Sequence, residues 1–398
     1  MKFIFGFILL FVCSIGQAQV NFQQAYQVAP LVPSGLLEAV AWTNTRMVHL
    51  ENVSEGCSGI PIPYGIMGLH EDGKDYFLKN GELVATLSGI SIANQKINPQ
   101  NQITAYALAF SALMELEVGA NGNSIRNVLH KLSEIPQEGM VNLLARDMQV
   151  YEILSFMKSQ EMASLYNFTP ASFSLPTIFG NQNFTVLSGH KIEIHPTQIV
   201  GNNHAQYSIA STKSTEFGPA IWNPTPTCNY SSRSGVAVSA ITIHTVQGSY
   251  AGAISWSQNC ASSVSFHYVL RSSDGQITQL VSEVDKAWHV GSENPYTIGY
   301  EHEGYVDNPA WYTDTLYGSS AAISRDIVNS GYGLPALRTY YGIATVGLNL
   351  LGNCTKIKGH QHYPNQSHTD PGVNWNWEKY YRLINNNPAF TLLTNSSD

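Results

Sequence analysis

Residues 236–244 read VAVSAITIH, and residues 297–303 read TIGYEHE. These two stretches and residues 265–271 are rich in β-branched and aromatic side chains, which are typical of buried strands. Segments with helical periodicity follow them at residues 315–330 and 375–384. Strands that alternate with helices in this way predict an α/β fold, with a mixed central sheet that is flanked by helices.

The chain is long enough for more than one domain, because its 398 residues far exceed the usual domain size of ~150. Apolar residues at helical spacing predict a mainly α-helical first domain over residues 19–165. Residues 166–221 are rich in proline and lose this spacing, so we expect a linker with some strand, including a hairpin between Phe184–Leu187 and Lys191–Ile194. The α/β domain then covers residues 222–390. In the first domain, helices are predicted from residue 34 onward and at residues 103–117, 124–132 and 139–162.

Residues 1–18 have the pattern of a signal peptide. Lys2 supplies positive charge, residues 3–12 are nearly all apolar, and Gly16 and Ala18 are small residues suited to cleavage. The apolar run is too short to span a bilayer of about 30 Å. We therefore expect export, to the periplasm or out of the cell. Cys13 lacks the small preceding residue of a lipidated cysteine, which argues against a lipid anchor.

The composition argues against a nucleic-acid partner. Only 12% of the residues are charged, and 28 acidic against 20 basic residues give a formal net charge of −8. Binding to a phosphate backbone needs clustered lysine and arginine, so we expect no nucleic acid as partner. We also find no later apolar segment long enough to predict an integral membrane span. The sequence does not indicate an oligomeric state.

Four cysteines remain beyond the signal peptide, and four cysteines allow three complete pairings. In an exported protein, one or two disulfides are favoured over free or catalytic thiols. We expect a disulfide between Cys228 and Cys260. The states of Cys57 and Cys354 stay open.

Histidines concentrate in the α/β domain, where seven of the thirteen lie between His244 and His368. His244 ends an apolar strand, His360 follows another short apolar segment, and Asp370 comes ten residues later. Two imidazoles and one carboxylate are a ligand set that catalytic zinc uses, with a fourth position open to water or substrate. The sequence contains no HExxH motif, so the ligands would come from separate strand ends and a loop.

Six blocks of this domain carry a family resemblance. The blocks are Ile243–Thr245, Val264–Val269, Ala287–Gly291, Ile298–Gly304, Gly359-His360 and His368–Gly372. They occur in the order that is typical of the zinc-dependent N-acetylmuramoyl-L-alanine amidases, the superfamily of phage lysozyme-type amidases and peptidoglycan recognition proteins. Residues 222–384 therefore resemble this family over the whole domain.

The resemblance implies a role for five residues. His244, His360 and Asp370 would hold one zinc ion, Glu301 would be the catalytic glutamate that takes a proton from the attacking water, and His368 would stabilise the oxyanion. Substrate-binding candidates are His289, Trp288 and His267, where the histidines either line the site or support it. Two further positions are noted: Tyr300 replaces the aliphatic residue usual in its motif, and His362 matches no motif position.

The first domain carries a second, shorter resemblance. Leu36–Arg46 followed by Tyr64–Leu69 is similar to the lysozyme-like lytic transglycosylases, and the family's catalytic acid falls at Asn44. An amide cannot donate the proton that glycosidic cleavage needs. We therefore expect a catalytically degenerate domain that binds glycan, with a plain helical scaffold as the alternative. Glu38 and Glu51 are the nearby carboxylates that could act instead.

Together these observations predict a secreted zinc amidase, a hydrolase that cleaves the amide bond between the lactyl group of muramic acid and L-alanine of the peptidoglycan stem peptide. Peptidoglycan or its soluble muropeptides would be the substrate. Two alternatives stay open: a non-catalytic protein that binds peptidoglycan, and a bifunctional enzyme that also cleaves glycan.

Overall fold

A computed structural model of the chain describes residues 20–117, 121–189, 192–194, 199–201 and 216–385. The predicted signal peptide, residues 1–18, lies outside the described residues. Among the described helices, none combines the length and the apolar character that crossing a membrane requires.

The C-terminal half is built on a six-stranded sheet. The described strands are β1 (Ile192–Ile194), β2 (Ile199–Gly201), β3 (Ile221–Trp222), β4 (Tyr230–Ser232), β5 (Ala240–Thr245), β6 (Tyr268–Leu270), β7 (Ile277–Gln279), β8 (Asp285–Ala287), β9 (Thr297–His302) and β10 (Ile357–Gly359). The order in the six-stranded sheet is β10-β5-β9-β6-β7-β3. Neighbouring strands run parallel, except that β6 and β7 are antiparallel, so the predicted mixed sheet is confirmed. Two further pairs lie outside this sheet: β1 with β2 and β4 with β8, both antiparallel.

One face of the sheet packs on the last two long helices, α12 (Asp314–Asn329) and α13 (Trp377–Ile384). Side chains alternate between faces along a strand, so Ile241 and Ile243 of β5 join this core with Ile298 and Tyr300 of β9. The replacement at Tyr300 is thus accommodated in the apolar core. The start of α12 is fixed by Thr313, whose side-chain oxygen accepts a hydrogen bond from the backbone N–H of Leu316.

The opposite face packs on α11 (Tyr250–Trp256) and on the helical N-terminal half of the chain. A single hydrophobic cluster contains Leu36, Phe110 and Leu154 from the N-terminal helices together with Ile254 and Val269 from the C-terminal half. The N-terminal half is helical as predicted. Its helices are α1 (Phe22–Val28), α2 (Leu36–Thr45), α3 (Asn80–Ser88), α4 (Ile92–Ile97), α5 (Pro99–Met114), α6 (Gly122–Leu132), α7 (Met140–Lys158), α8 (Gln160–Tyr166), α9 (Leu175–Phe179) and α10 (Asn181–Ser188).

The contact between the halves includes a buried cation. The guanidinium carbon of Arg46, at the end of α2, lies 3.8 Å from the ring centroid of Trp42 and 3.9 Å from that of Trp311, a residue of the C-terminal half. Glu152 of α7 lies 3.5 Å from the same guanidinium. These interactions fix the helical half against the sheet.

The predicted hairpin between Phe184–Leu187 and Lys191–Ile194 is wrong. Phe184–Leu187 belongs to helix α10, and the backbone carbonyls of Val186 and Leu187 accept hydrogen bonds from the side chain of Gln276. Packing of this helix on the core overrides the strand preference of its local sequence. β1 instead pairs with β2.

The structure also tests the cysteines. Cys228 and Cys260 form a disulfide with a Cα–Cα distance of 5.5 Å, which confirms the expected pair. Cys57 and Cys354 are both free thiols, and Cys354 is exposed.

Candidate metal centre

The site lies at the carboxyl ends of three neighbouring parallel strands. His244 near the end of β5 is in register with Glu301 of β9, and His360 directly follows β10. The carboxyl ends of parallel strands meet at one edge of a sheet, which is where such folds build their sites. The side chains of His244 and Glu301 project from the face that the N-terminal half covers, since their neighbours Ile243 and Tyr300 belong to the opposite core.

The loop after β10 brings Asp370 to the two histidines. Gly359 allows this approach, since a Cβ atom at that position would lie 2.5 Å from Pro371. The backbone N–H of Gln361 donates to the carbonyl of Asp370 at 3.1 Å. As a result, the Asp370 carboxylate lies 3.0 Å from Nδ1 of His244 and 3.3 Å from Nδ1 of His360. The structure thus brings together the three residues that the sequence predicts as ligands.

A fourth candidate ligand, Cys57, comes from the N-terminal half and was missed by the sequence reasoning. Its Sγ atom lies 3.4 Å from Nδ1 of His244, 3.2 Å from Oε1 of Glu301 and 4.0 Å from Oδ2 of Asp370. One donor atom from each of Cys57, His244, His360 and Asp370 lies within 4.8 Å of the others. Its local sequence resembles no metal-binding motif, so no signal in the sequence could have found it.

The four residues fit a divalent metal ion. A tetrahedral ion with bonds of about 2.0–2.3 Å holds its ligand atoms roughly 3.3–3.8 Å apart. Nδ1 of His244 lies 3.4 Å from Cys57 and 3.0 Å from Asp370, and all four donor atoms lie within 4.8 Å of one another. Nδ1 of His360 is buried and has no hydrogen-bond partner within the described part of the chain. A buried imidazole nitrogen without a partner is costly. Coordination of a metal would satisfy it.

The other ring nitrogen of each histidine is held by a second residue. Nε2 of His244 lies 2.9 Å from Nδ1 of His289, and Nε2 of His360 lies 2.8 Å from Oε1 of Gln366. Such contacts fix the ring orientation and leave Nδ1 directed at the metal. Gly299 makes room for His289, since a Cβ atom there would lie 2.4 Å from its ring. Sequence reasoning missed Gln366, which lies in a loop without a recognisable motif.

Burial and charge shift the pKa values of the ligands. Burial lowers the pKa of His244 to about 4, against the opposing effect of Asp370. Burial alone would raise the pKa of Asp370, but the nearby charge of His360 and the hydrogen bond with His244 hold it well below its usual range. The cluster therefore offers a neutral imidazole and an ionised carboxylate, which are the protonation states that bind metals.

Glu301 is the fully buried carboxyl group of the site. Burial, and then the charge of Asp370, raise its pKa well above the ordinary value. Its Oε2 atom is buried without a hydrogen-bond partner among the described residues, while Oε1 accepts the hydrogen bond from Cys57. A carboxyl group whose pKa is raised is suited to accept and return a proton.

Two of the residues predicted to bind substrate are buried. His267 is fully buried, accepts a hydrogen bond from the backbone N–H of Gly299 and contacts Arg233. His289 is buried behind His244. Their placement favours the supporting role over the lining role.

The remaining candidates differ in position. His368 is partly exposed, and its ring centroid lies 5.3 Å from that of His360, beside the metal ligands. Trp288 is partly exposed and donates from Nε1 to Ser231. His362 accepts a hydrogen bond from the backbone of Gly359 and packs on aromatic rings.

Asn44, which stands where the lytic transglycosylases have their catalytic acid, is partly exposed and lies at the junction of the two halves. Its side chain donates to the carbonyl of Met67 at 2.9 Å. It borders a cavity of about 10 Å³, enough for about one water molecule, which Gly248 and Tyr305 of the C-terminal half also line. Glu38 is buried and accepts a hydrogen bond from the hydroxyl of Tyr26. Glycan binding by this domain stays a prediction.

Comparison with known proteins shows the family to which the C-terminal half is similar. The sequence model of the family described as N-acetylmuramoyl-L-alanine amidase matches residues 234–373. The N-acetylmuramoyl-L-alanine amidase A of Achromobacter lyticus is 40% identical over 171 residues, which are 43% of this chain and 96% of that protein. The chain belongs to the N-acetylmuramoyl-L-alanine amidase family. The predicted amidase resemblance is confirmed, and the lysozyme-like resemblance of the N-terminal half stays a prediction.

Other members of the amidase family match a smaller share of this chain. The 1,6-anhydro-N-acetylmuramyl-L-alanine amidase AmpD of Escherichia coli is 31% identical over 129 residues, which are 30% of this chain and 58% of that protein. Among solved structures, a Se-Met AmpD derivative covers 42% of this chain and 94% of its own, at 22% identity and a TM-score of 0.32.

Proposed function

We propose that this amidase-family chain is an exported, zinc-dependent N-acetylmuramoyl-L-alanine amidase. It hydrolyses the amide bond between the lactyl group of muramic acid and L-alanine of the peptidoglycan stem peptide. The observation that carries the proposal is the convergence of His244, His360 and Asp370 beside the buried carboxyl group of Glu301.

The proposed ligands of one zinc ion are His244, His360 and Asp370. When bound, zinc supplies Lewis-acid chemistry that polarises a carbonyl and makes water more acidic. The chain's own contribution is orientation: His289 and Gln366 hold the outer nitrogens of the two histidines. Support of this kind keeps both Nδ1 atoms directed at the ion.

Glu301 is the proposed general base and general acid. Its carboxylate takes the proton of the attacking water, the new C–O bond forms, and the C–N bond breaks. The same carboxyl group returns the proton to the departing amine of L-alanine. Because burial raises its pKa well above the ordinary value, the carboxyl group is a strong enough base for the first step and holds the proton for the second.

His368 is the proposed stabiliser of the oxyanion. It lies beside His360 and keeps part of its ring exposed, so it can approach a substrate carbonyl. A donor placed where negative charge develops lowers such a barrier by about 3 kcal/mol. Trp288, also partly exposed, is the proposed contact for the sugar or peptide.

The proposed location follows from the substrate and from the N-terminal sequence. Residues 1–18 have the pattern of a signal peptide, and the disulfide between Cys228 and Cys260 suits an oxidising compartment. Peptidoglycan is a substrate outside the cytoplasmic membrane. Export, to the periplasm or beyond, therefore agrees with the proposed reaction.

The test is mass spectrometry of purified muropeptides after incubation with zinc-loaded protein. Because Cys57 lies against Glu301, two parents are compared: the native chain and Cys57→Ala. Each parent is paired with its Glu301→Gln derivative, which keeps the size of the side chain but cannot act as a base. We expect free stem peptide from at least the Cys57→Ala parent, and at least a 1000-fold lower rate from its Glu301→Gln derivative, that is, about 4 kcal/mol of barrier.

Two results would contradict the proposal. Equal release from a parent and its Glu301→Gln derivative would remove the role of Glu301. No release from either zinc-loaded parent would leave a protein that only binds peptidoglycan.

A further inference from the structure

We propose that Cys57 is a fourth protein ligand of the metal centre, so that the helical N-terminal half holds the amidase in a closed, latent form. The inference rests on the proposed function, since it concerns the same metal. It goes beyond that function because it assigns a residue outside the amidase domain to the site and makes the N-terminal half its regulator.

The position of the thiol is that of a ligand. Sγ of Cys57 lies at 3.4 Å from Nδ1 of His244 and 4.0 Å from Oδ2 of Asp370, while those two atoms are 3.0 Å apart. These separations are close to those expected between neighbouring ligand atoms of one tetrahedral ion. Nδ1 of His360, which is buried and makes no hydrogen bond within the described residues, belongs to the same group of donor atoms.

The thiol also occupies the place that catalysis needs. A catalytic zinc site keeps a fourth position open, whereas a site with four protein ligands is closed and structural. Sγ lies 3.2 Å from Glu301, on the side where this carboxyl group would meet the attacking water. His244 and Glu301 have no exposed surface in this arrangement. A substrate amide therefore cannot reach them unless Cys57 leaves.

The Cys57 loop, residues 54–60, is built to sit at this position. At Gly56 a Cβ atom would lie 2.7 Å from the backbone carbonyl of Val246, directly after β5, so only glycine allows the approach. The next residue in the chain is Cys57 itself. The close approach of the backbone thus sets the depth to which the thiol enters the site.

Hydrogen bonds to the C-terminal half fix both sides of the Cys57 loop. The side chain of Gln247 donates to the side-chain and backbone oxygens of Ser54, at 3.0 and 3.2 Å. The indole N–H of Trp256 donates to the backbone carbonyl of Ser58 at 2.7 Å. Gln247 and Trp256 belong to the C-terminal half. These hydrogen bonds therefore form only when the two halves are docked on each other.

The N-terminal half holds the Cys57 loop from the other direction. Lys74 forms an ion pair with Glu55 and donates to the carbonyl of Gly59 at 2.8 Å. Non-covalent contacts therefore hold the Cys57 loop both to the N-terminal half and to the C-terminal half. Release of the thiol requires the loop to leave the site as a unit.

The first test uses cobalt-substituted protein, because a cobalt–thiolate bond gives a near-ultraviolet charge-transfer band that imidazole and carboxylate ligands do not. The parent is Cys354→Ser, in which Cys57 is the one free thiol of the described residues. We expect the band in this parent and in the native chain. Adding Cys57→Ser or Cys57→Ala should remove the band and keep one metal ion per chain.

The second test opens the loop and leaves the thiol in place. Gly56→Ala introduces a methyl group against the backbone of Val246, so we expect the cobalt–thiolate band to weaken. Gly218→Ala is the matched control, because a Cβ atom there has no neighbour within 4 Å, and its band should equal that of the parent.

Rates of stem-peptide release complete the design. If the open form is about 1–10% of the closed protein, Cys57→Ala and Gly56→Ala should act roughly ten to a hundred times faster than the native chain. A missing band in the native chain, or a band that persists in Cys57→Ala, would overturn the ligand assignment. Equal rates in the native chain and in both variants would overturn the latency.

The two proposals fail in different ways. A cobalt–thiolate band that depends on Cys57, together with no stem-peptide release from any variant, would refute the amidase proposal and leave the ligand in place. Release that depends on Glu301 without such a band would refute the role of Cys57 alone.

Discussion

The contact between the N-terminal half and the C-terminal half depends on Arg46. We therefore expect Arg46→Met to lower the free energy of unfolding sharply. Methionine keeps an unbranched apolar chain between Trp42 and Trp311 but removes the charge. Arg46 pairs with the buried carboxyl group of Glu152, and its charge also acts on the buried carboxyl group of Glu303. Its loss removes the ion pair of Glu152, whereas Glu303 keeps two hydrogen bonds from backbone N–H groups.

The magnitude follows from two contributions. Removing one partner of a buried ion pair costs about 3–5 kcal/mol, and a desolvated cation–π contact contributes up to about 2 kcal/mol. Because neighbouring contributions are not additive, we expect a total loss of about 3–5 kcal/mol at pH 8. Arg382→Met is the control: its pair with Glu378 is on the surface, with 21% and 61% of the side chains exposed, and its loss should cost less than about 1 kcal/mol.

The loss should also depend on pH. Burial and the charge of Glu303 already raise the pKa of Glu152, and removal of Arg46 raises it further in the folded state. A folded state that binds a proton more tightly than the unfolded state loses stability as pH rises. The deficit of Arg46→Met should therefore be smaller at pH 5.5 than at pH 8, by at least about 1 kcal/mol.

Denaturant unfolding at both pH values measures these differences. The double variant Arg46→Met/Glu152→Gln, which has no charge at position 152, should recover at least half of the loss at pH 8. A loss of under about 1 kcal/mol at pH 8 would place Arg46 with ordinary surface residues and refute the reasoning. An equal loss at both pH values would refute the role given to the buried carboxyl groups.

Two further predictions concern single residues. His289→Ala should weaken zinc binding roughly 10–100-fold in a chelator competition, because Nε2 of His244 loses its partner, whereas unchanged affinity would contradict the supporting role. Burial raises the pKa of Glu283 from 4.5 to about 7, so the folded protein should lose up to roughly 3 kcal/mol of stability as pH rises across that interval. Glu283→Gln, which keeps an acceptor for the hydroxyl of Tyr268, should flatten this part of the stability–pH curve, and an unchanged slope would exclude Glu283 as its source.

The sequence predicted the part of the site that local patterns encode. His244 stands near the end of an apolar strand, and a residue at such a position lies at the carboxyl edge of the sheet. His360 and Asp370 could be placed with it because the amidase motifs occur in family order. Strands β5, β6 and β9 were also predictable, since their sequences are rich in β-branched and aromatic residues.

Elements without a local pattern were missed. Every residue of helix α11, Tyr250–Trp256, is buried, so it shows no amphipathic period. Phe184–Leu187 has strand-like composition but forms a helix, because tertiary contacts with Gln276 and the core decide its structure. Sequence periodicity does not contain such contacts.

Cys57 is the clearest case of this limit. Its distance in sequence from His244 is 187 residues, and only the docking of the two halves brings them together. In the sequence the thiol could equally well have been half of a disulfide. Its chemistry is therefore set by tertiary structure alone.

The most direct test of the account is the zinc affinity of the native chain and of Asp370→Asn, measured by competition with a chelator of known affinity and checked by metal content per chain. We predict one zinc ion in the native chain and at least 100-fold weaker binding in Asp370→Asn, which preserves the size of the side chain but loses the charge that His244 and His360 share. Equal affinity and metal content in the two proteins would contradict a metal centre at these residues.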